Sequence, residues 1–99
     1  MTTDENAKAV YTPTIGVAGQ YEVYEWHGNV RGSASNVKYT INHADGATTK
    51  TVNQQRDYSQ WNYLGSFNFS RGTSGNITVS AQGTDGIVQA DGIMLVFGE

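Results

Sequence analysis

Short runs of alternating apolar and polar residues, closed by glycine-centred turns, limit what this chain can fold into. Gln20 to His27 sets Tyr21 and Val23 on one parity and Glu22, Tyr24 and Trp26 on the other. Asn36 to His43 sets Val37, Tyr39 and Ile41 against Lys38, Thr40 and Asn42. A period of two sends successive side chains to opposite faces of a strand. No segment keeps apolar residues at i, i+3, i+4 and i+7, so no helix beyond a single turn is expected. Twelve glycines against one proline, with leucine only at Leu64 and Leu95, suit strands and turns rather than helices.

The remaining segments fit the same reading. Ala9 to Thr12 is a short strand. Ala44-Asp45-Gly46 is a hairpin turn between Asn36–His43 and a returning strand over Thr48 to Gln55. Trp61 to Phe69 carries Trp61, Tyr63, Phe67 and Phe69 on one parity, and Arg71 to Gly75 is a loop. Asn76 to Ala81 points Ile77 and Val79 inward. Gly83 to Gly86 turns, and Ile87 to Ala90 leads into Ile93 to Phe97. That last run is apolar on both parities, which predicts a central strand covered on both sides. Seven or eight short strands predict an all-β fold, an antiparallel β-sandwich of jelly-roll type. At 99 residues the chain makes one domain, placed at 9–99, with 1–8 as an N-terminal arm outside the core.

Composition removes several classes of function. A net charge of −3 without a cluster of Lys and Arg argues against nucleic-acid binding. The absence of cysteine excludes disulfides, thiol nucleophiles and Cys-ligated metals. Ile93 to Phe97 is far too short to cross a bilayer, so no membrane insertion is expected. The polar, acidic start does not read as a signal peptide. Neither His27 nor His43 is given a partner at a spacing that marks a site, so both read as surface or strand-end residues. Asp45, Asp85 and Asp91 each precede glycine and read as turn residues, with calcium ligation as the alternative. There is no nucleophile elbow and no phosphate-cradling loop. The expectation is a non-enzyme with no cofactor and no metal site.

Binding chemistry is better represented. With Tyr21 and Val23 facing the core, Tyr24 and Trp26 face outward. Flat aromatic surfaces among Asn, Gln and Arg suit stacking against sugar rings and fixing of hydroxyls. Asn53 to Tyr58 is the richest polar segment of that kind. The candidate carbohydrate-binding set is Tyr24, Trp26, His27, Arg31, Gln54, Gln55, Arg56 and Tyr58. The structural alternative is that a second layer or a loop covers the aromatics.

An ordered series of motifs carries a family resemblance. Val17-Ala18-Gly19 leads into Tyr21-Glu22-Val23-Tyr24-Glu25-Trp26. Ala34 to Ile41, His43 to Gly46, Thr51 to Gln55, Trp61 to Phe69, Gly72 to Gly75 and Val88 to Ile93 follow. Together they resemble golvesin C-terminal-like domains, which also occur as accessory domains of xanthan-lyase-type enzymes. The resemblance spans about residues 7 to 97. It implies a jelly-roll sandwich on secreted and cell-surface proteins, carbohydrate binding or adhesion, and no catalysis. It also implies that Trp61, Leu64, Gly65 and Phe67 are scaffold. Glu25 and His27 stand where the family tends to have Val and Trp, and Ser33 replaces an Arg. Family members usually carry a further opening strand, whose place here falls to a neighbouring subunit, to the N-terminal arm or to nothing.

Two functions follow as expectations. In the first, the chain is a structural subunit of a larger particle, a virion-surface (capsid-decoration) protein. It would form homo-oligomers or larger protein assemblies through the arm Thr2, Thr3, Asp4, Glu5 and Asn6. In the second, it is a carbohydrate-binding accessory module of a secreted polysaccharide-active or cell-surface protein, with polysaccharide as its partner.

Overall fold

The computed structural model describes residues 2–4 and 6–98. Seven strands form in the order β1 (Lys8–Tyr11), β2 (Gly19–His27), β3 (Val37–His43), β4 (Gly46–Val52), β5 (Gln60–Phe69), β6 (Asn76–Ser80) and β7 (Gly92–Phe97), with no helix among the described residues. They build two antiparallel sheets, β1-β6-β3-β4 and β5-β2-β7. Only the β3–β4 connection stays within a sheet; each of the others crosses between layers, as the jelly-roll expectation requires.

The alternation explains the layers. Val37, Tyr39 and Ile41 of β3 and Ile77 and Val79 of β6 point into the sandwich and are buried. Val23 of β2, Leu64 and Phe69 of β5 close the core from the other sheet, with Ile93 and Leu95 of β7 packed against it. Fully burying one such aliphatic side chain is worth about 1.5–3 kcal/mol. The outer face of the four-stranded sheet is polar: Lys38, Thr40, Asn42, Thr78 and Ser80 occupy the opposite parity. The hairpin at Ala44 and Asp45 forms as expected. Its tip is tied to β5, because Ala44 N–H donates to the Asn68 carbonyl at 2.7 Å and Asn68 Nδ2 donates to Asp45 Oδ2 at 3.0 Å.

Two strand expectations need correction. β7 lies at the edge of its sheet, paired only with β2, and is not a central strand. Its double apolar parity has another cause: Ile93 and Leu95 face the core, while Met94 and Val96 face outward beside the aromatic side chains of β2 and β5. Secondly, β5 does not keep one parity. The register skips Leu64, with Val23 opposite Gly65 and Tyr24 opposite Tyr63. This bulge sends Leu64, Phe67 and Phe69 inward and turns Trp61 and Tyr63 outward. Trp61 is therefore not a core residue; it is 46% exposed.

The N-terminal residues are held by their own domain. Thr2 exchanges backbone hydrogen bonds with Val88 at 2.9 and 2.7 Å, and the Ala7 carbonyl accepts from Ala81 N–H at 3.1 Å. Asp4 N–H donates to Thr2 Oγ1 and Asn6 N–H to Asp4 Oδ1, each at 3.0 Å. Thr2, Asp4 and Asn6 are thus tied within their own domain and Thr3 is exposed between them; Glu5 lies outside the described residues.

Candidate functional site

The outer face of β5-β2-β7 carries an aromatic surface. Trp26 lies opposite Trp61 and Tyr24 opposite Tyr63, in two successive rows across β2 and β5. The Tyr24 and Tyr63 rings are 5.5 Å apart and tilted by 56°. Gly92 and Met94 of β7 extend the same rows. A Cβ added at Gly92 would sit 3.3 Å from Trp61 Cη2 and 3.7 Å from Trp26 Cβ, so the missing side chain lets the Trp61 indole lie across the sheet. Glu22, Ser66 and Gln20 form a polar border on the same parity, and Tyr24 Oη donates to Glu22 Oε1 at 3.2 Å. Tyr63 is 58% exposed. No described element covers this face; the four-stranded sheet packs on the other side.

Beneath it, the inward parity of β2 is polar where it would ordinarily be apolar. Glu25 and His27 are both fully buried and meet at 2.8 Å between Oε1 and Nδ1. His27 Nε2 lies 2.7 Å from the Arg56 carbonyl, which only accepts, so Nε2 carries a proton. Tyr39 Oη donates to Glu25 Oε1 at 3.2 Å, and Asn62 Nδ2 donates to Oε2 at 2.5 Å. Gln54 Nε2 continues the network to Tyr39 Oη and the Gln89 carbonyl, while its Oε1 accepts from Gln89 N–H at 2.8 Å. Gln89 Nε2 in turn donates to the Gly28 carbonyl and Ser33 Oγ, each at 3.0 Å. Burial, with the Glu25 carboxylate as a second cause, holds the Tyr39 phenol far above its ordinary range.

The candidate residues divide accordingly. Tyr24 and Trp26 are on the exposed aromatic face, as expected. His27 and Gln54 are buried and used up by internal hydrogen bonds, so neither reaches a ligand; this corrects their inclusion. Gln55 is exposed at the surface but spends its side-chain amide on the Ser33 carbonyl at 3.1 Å. Arg56 and Tyr58 are exposed in the β4–β5 loop, and Arg31 is exposed in the β2–β3 loop. Asp45, Asp85 and Asp91 accept hydrogen bonds from Asn68, Ser35 and Gly28, residues distant in sequence, and so tie their loops to other parts of the chain. The sequence reading missed Trp61, Tyr63 and Met94, whose signal was Gly65 interrupting a strand. It also missed the Glu25–His27 pair, whose signal was an i, i+2 spacing on an inward parity.

Comparison with known proteins places the chain. The family model described as Golvesin C-terminal domain matches residues 1–97. A xanthan lyase of Bacillus sp. (strain GL1) is 32% identical over 102 residues, covering 94% of this chain and 11% of that protein. The solved structure of Paenibacillus xanthan lyase aligns with a TM-score of 0.94 at 33% identity, covering 99% of this chain and 9% of that one. The chain spans about a tenth of the length of the relatives it matches.

Proposed function

Since this chain belongs to the golvesin C-terminal domain family, we propose that it is a carbohydrate-binding accessory module, without catalysis of its own, serving a polysaccharide-active protein outside the cell or at its surface. One observation carries the reading: four aromatic side chains share an uncovered sheet face. An uncovered apolar face on a small domain marks an interaction surface. Indole and phenol rings offer flat contact area at low entropic cost to the C–H faces of sugar rings, and the border of Glu22, Ser66 and Gln20 suits their hydroxyls. The relatives' names point to xanthan as the first polysaccharide to offer. Glu25 and His27, the pair that most resembles acid–base machinery, are committed to internal hydrogen bonds, which favours a non-catalytic role. The capsid-decoration reading finds no support among the relatives and is not carried forward.

Affinity electrophoresis through gels containing xanthan or neutral polysaccharides tests the proposal. Wild-type protein should be retarded by at least one of them. Trp61→Ala should weaken retention by roughly thirtyfold, the loss expected for about 2 kcal/mol at an aromatic contact, while the circular dichroism spectrum stays unchanged. Absence of retardation in every gel, or full retention by the variant, would overturn it.

A further inference from the structure

A cleft of about 500 Å³ opens between the free edges of β4 and β5, lined among others by Lys50, Asn53, Arg56, Asp57, Asn62 and Tyr63. Its size is within the range of small-molecule sites. We propose that this cleft is a second ligand site, which takes the carboxylate of an acidic sugar residue; the claim rests on the carbohydrate reading above.

Three observations carry it. The first is charge. The chain is acidic overall, with six Lys and Arg in total, yet two of these six line this one cleft. Lys50 forms no ion pair with any described residue. Among the described residues Arg56 pairs with Asp57 alone, at 3.9 Å and with both side chains well exposed, a contact too weak to occupy the guanidinium. A planar guanidinium suits bidentate binding of a carboxylate, and an ammonium adds a second point of charge.

The second is rigidity. The β4–β5 loop is fastened from beneath at consecutive points. His27 Nε2 donates to the Arg56 carbonyl, Asn62 Nδ2 donates to the Asp57 carbonyl at 2.8 Å, and Ser59 N–H donates to the His27 carbonyl at 2.7 Å. Asp57 and Ser59 are held at φ of 54° and 61°, a left-handed conformation that non-glycine residues seldom adopt. The buried Glu25–His27 pair therefore fixes the backbone of the residue that bears the guanidinium. His27 and Asn62 thereby hold the backbone of Arg56 and Asp57 from beneath.

The third is continuity. Tyr63 belongs to the aromatic rows and also lines the cleft. A saccharide lying on the aromatic face can run over the edge of β5 and place one residue's carboxylate between Lys50 and Arg56.

Calorimetric titration with a tetrasaccharide of galacturonic acid, and with its carboxyl-reduced counterpart, tests this. Wild-type protein should bind the acidic form at least about tenfold more tightly than the reduced form, and lose most of that margin at high salt. Arg56→Gln and Lys50→Gln, both at exposed positions, should each remove about tenfold of affinity for the acidic form and leave the reduced form unaffected. Trp61→Ala should weaken both forms. Equal binding of the two forms, no binding of the acidic form, or indifference to both cleft substitutions overturns the cleft proposal. If both forms bind equally, are unchanged by Arg56→Gln and Lys50→Gln and are lost in Trp61→Ala, the aromatic reading stands and the cleft alone fails. If acid-selective binding persists in Trp61→Ala at full strength, the aromatic reading fails and the cleft stands.

Discussion

Glu25 and His27 sit on the inward parity of β2, where water is absent and each depends on the other. Removing Glu25 takes the acceptor away from His27 Nδ1, Tyr39 Oη and Asn62 Nδ2 together, which costs about 3–5 kcal/mol. Replacing both with apolar residues removes the unmet need of His27 Nδ1, although Asn62 and the Arg56 carbonyl each still lose one bond. Glu25→Val alone should therefore lower stability by about that amount in urea denaturation, and Glu25→Val/His27→Leu should cost at least about 1 kcal/mol less than the sum of the single changes. Strict additivity would mean the two residues do not act as a unit. A different carboxylate contributes to the acid limb. Ser35 donates to Asp85 through both its hydroxyl and its backbone N–H, and these bonds hold the Asp85 carboxyl below its ordinary value near 3.8. A carboxyl whose folded value is depressed contributes stability above its unfolded pKa, and that contribution is lost as pH falls through the folded value. Asp85→Asn should thus lower Tm near neutrality and decline less steeply than wild type below about pH 4. Parallel profiles would remove Asp85 from the acid response.

At the scale of elements, the strands were legible and their faces were only partly so. Six of the seven lie within one residue of the expected runs and β4 is displaced by two to three, because inward and outward positions of a half-buried strand leave a period-two trace. What alternation cannot show is a change of phase. In β5 the extra residue at Leu64 and Gly65 reverses which parity faces the core, so Trp61 and Tyr63, read as scaffold or core parity, become the exposed part of the site. Gly65 makes the reversal possible. Its φ of 144° disfavours a side chain, and an added Cβ would meet Phe67 Cζ at 2.8 Å. Gly65→Ala should cost about 1–3 kcal/mol and weaken polysaccharide retention as well, since the bulge aims both aromatics. A neutral substitution would show that β5 keeps its phase by other means. The buried network was hidden for a related reason: Gln54 and His27 have the composition of a ligand-binding surface, and only three-dimensional packing shows that their polar atoms are already satisfied.

The whole molecule is a sandwich with two unlike outer faces. One is a lawn of Thr, Lys, Asn and Ser, ordinary for a solvated sheet. The other carries aromatic rows that end at a cationic cleft. The fold class and Tyr24 and Trp26 of the aromatic face were readable from the sequence; the partners that complete the surface came from the register of three strands. The central claim is that this face is where polysaccharide binds, and the chain carries its own reporter. It has two tryptophans, Trp26 and Trp61, and both are on that face. The most direct measurement is therefore intrinsic tryptophan fluorescence during titration with xanthan and with neutral polysaccharides. The account predicts a saturable change in intensity and a shift of the emission to shorter wavelength, with the same midpoint as retention in affinity gels. Retention with unchanged emission would place the ligand elsewhere and contradict the account.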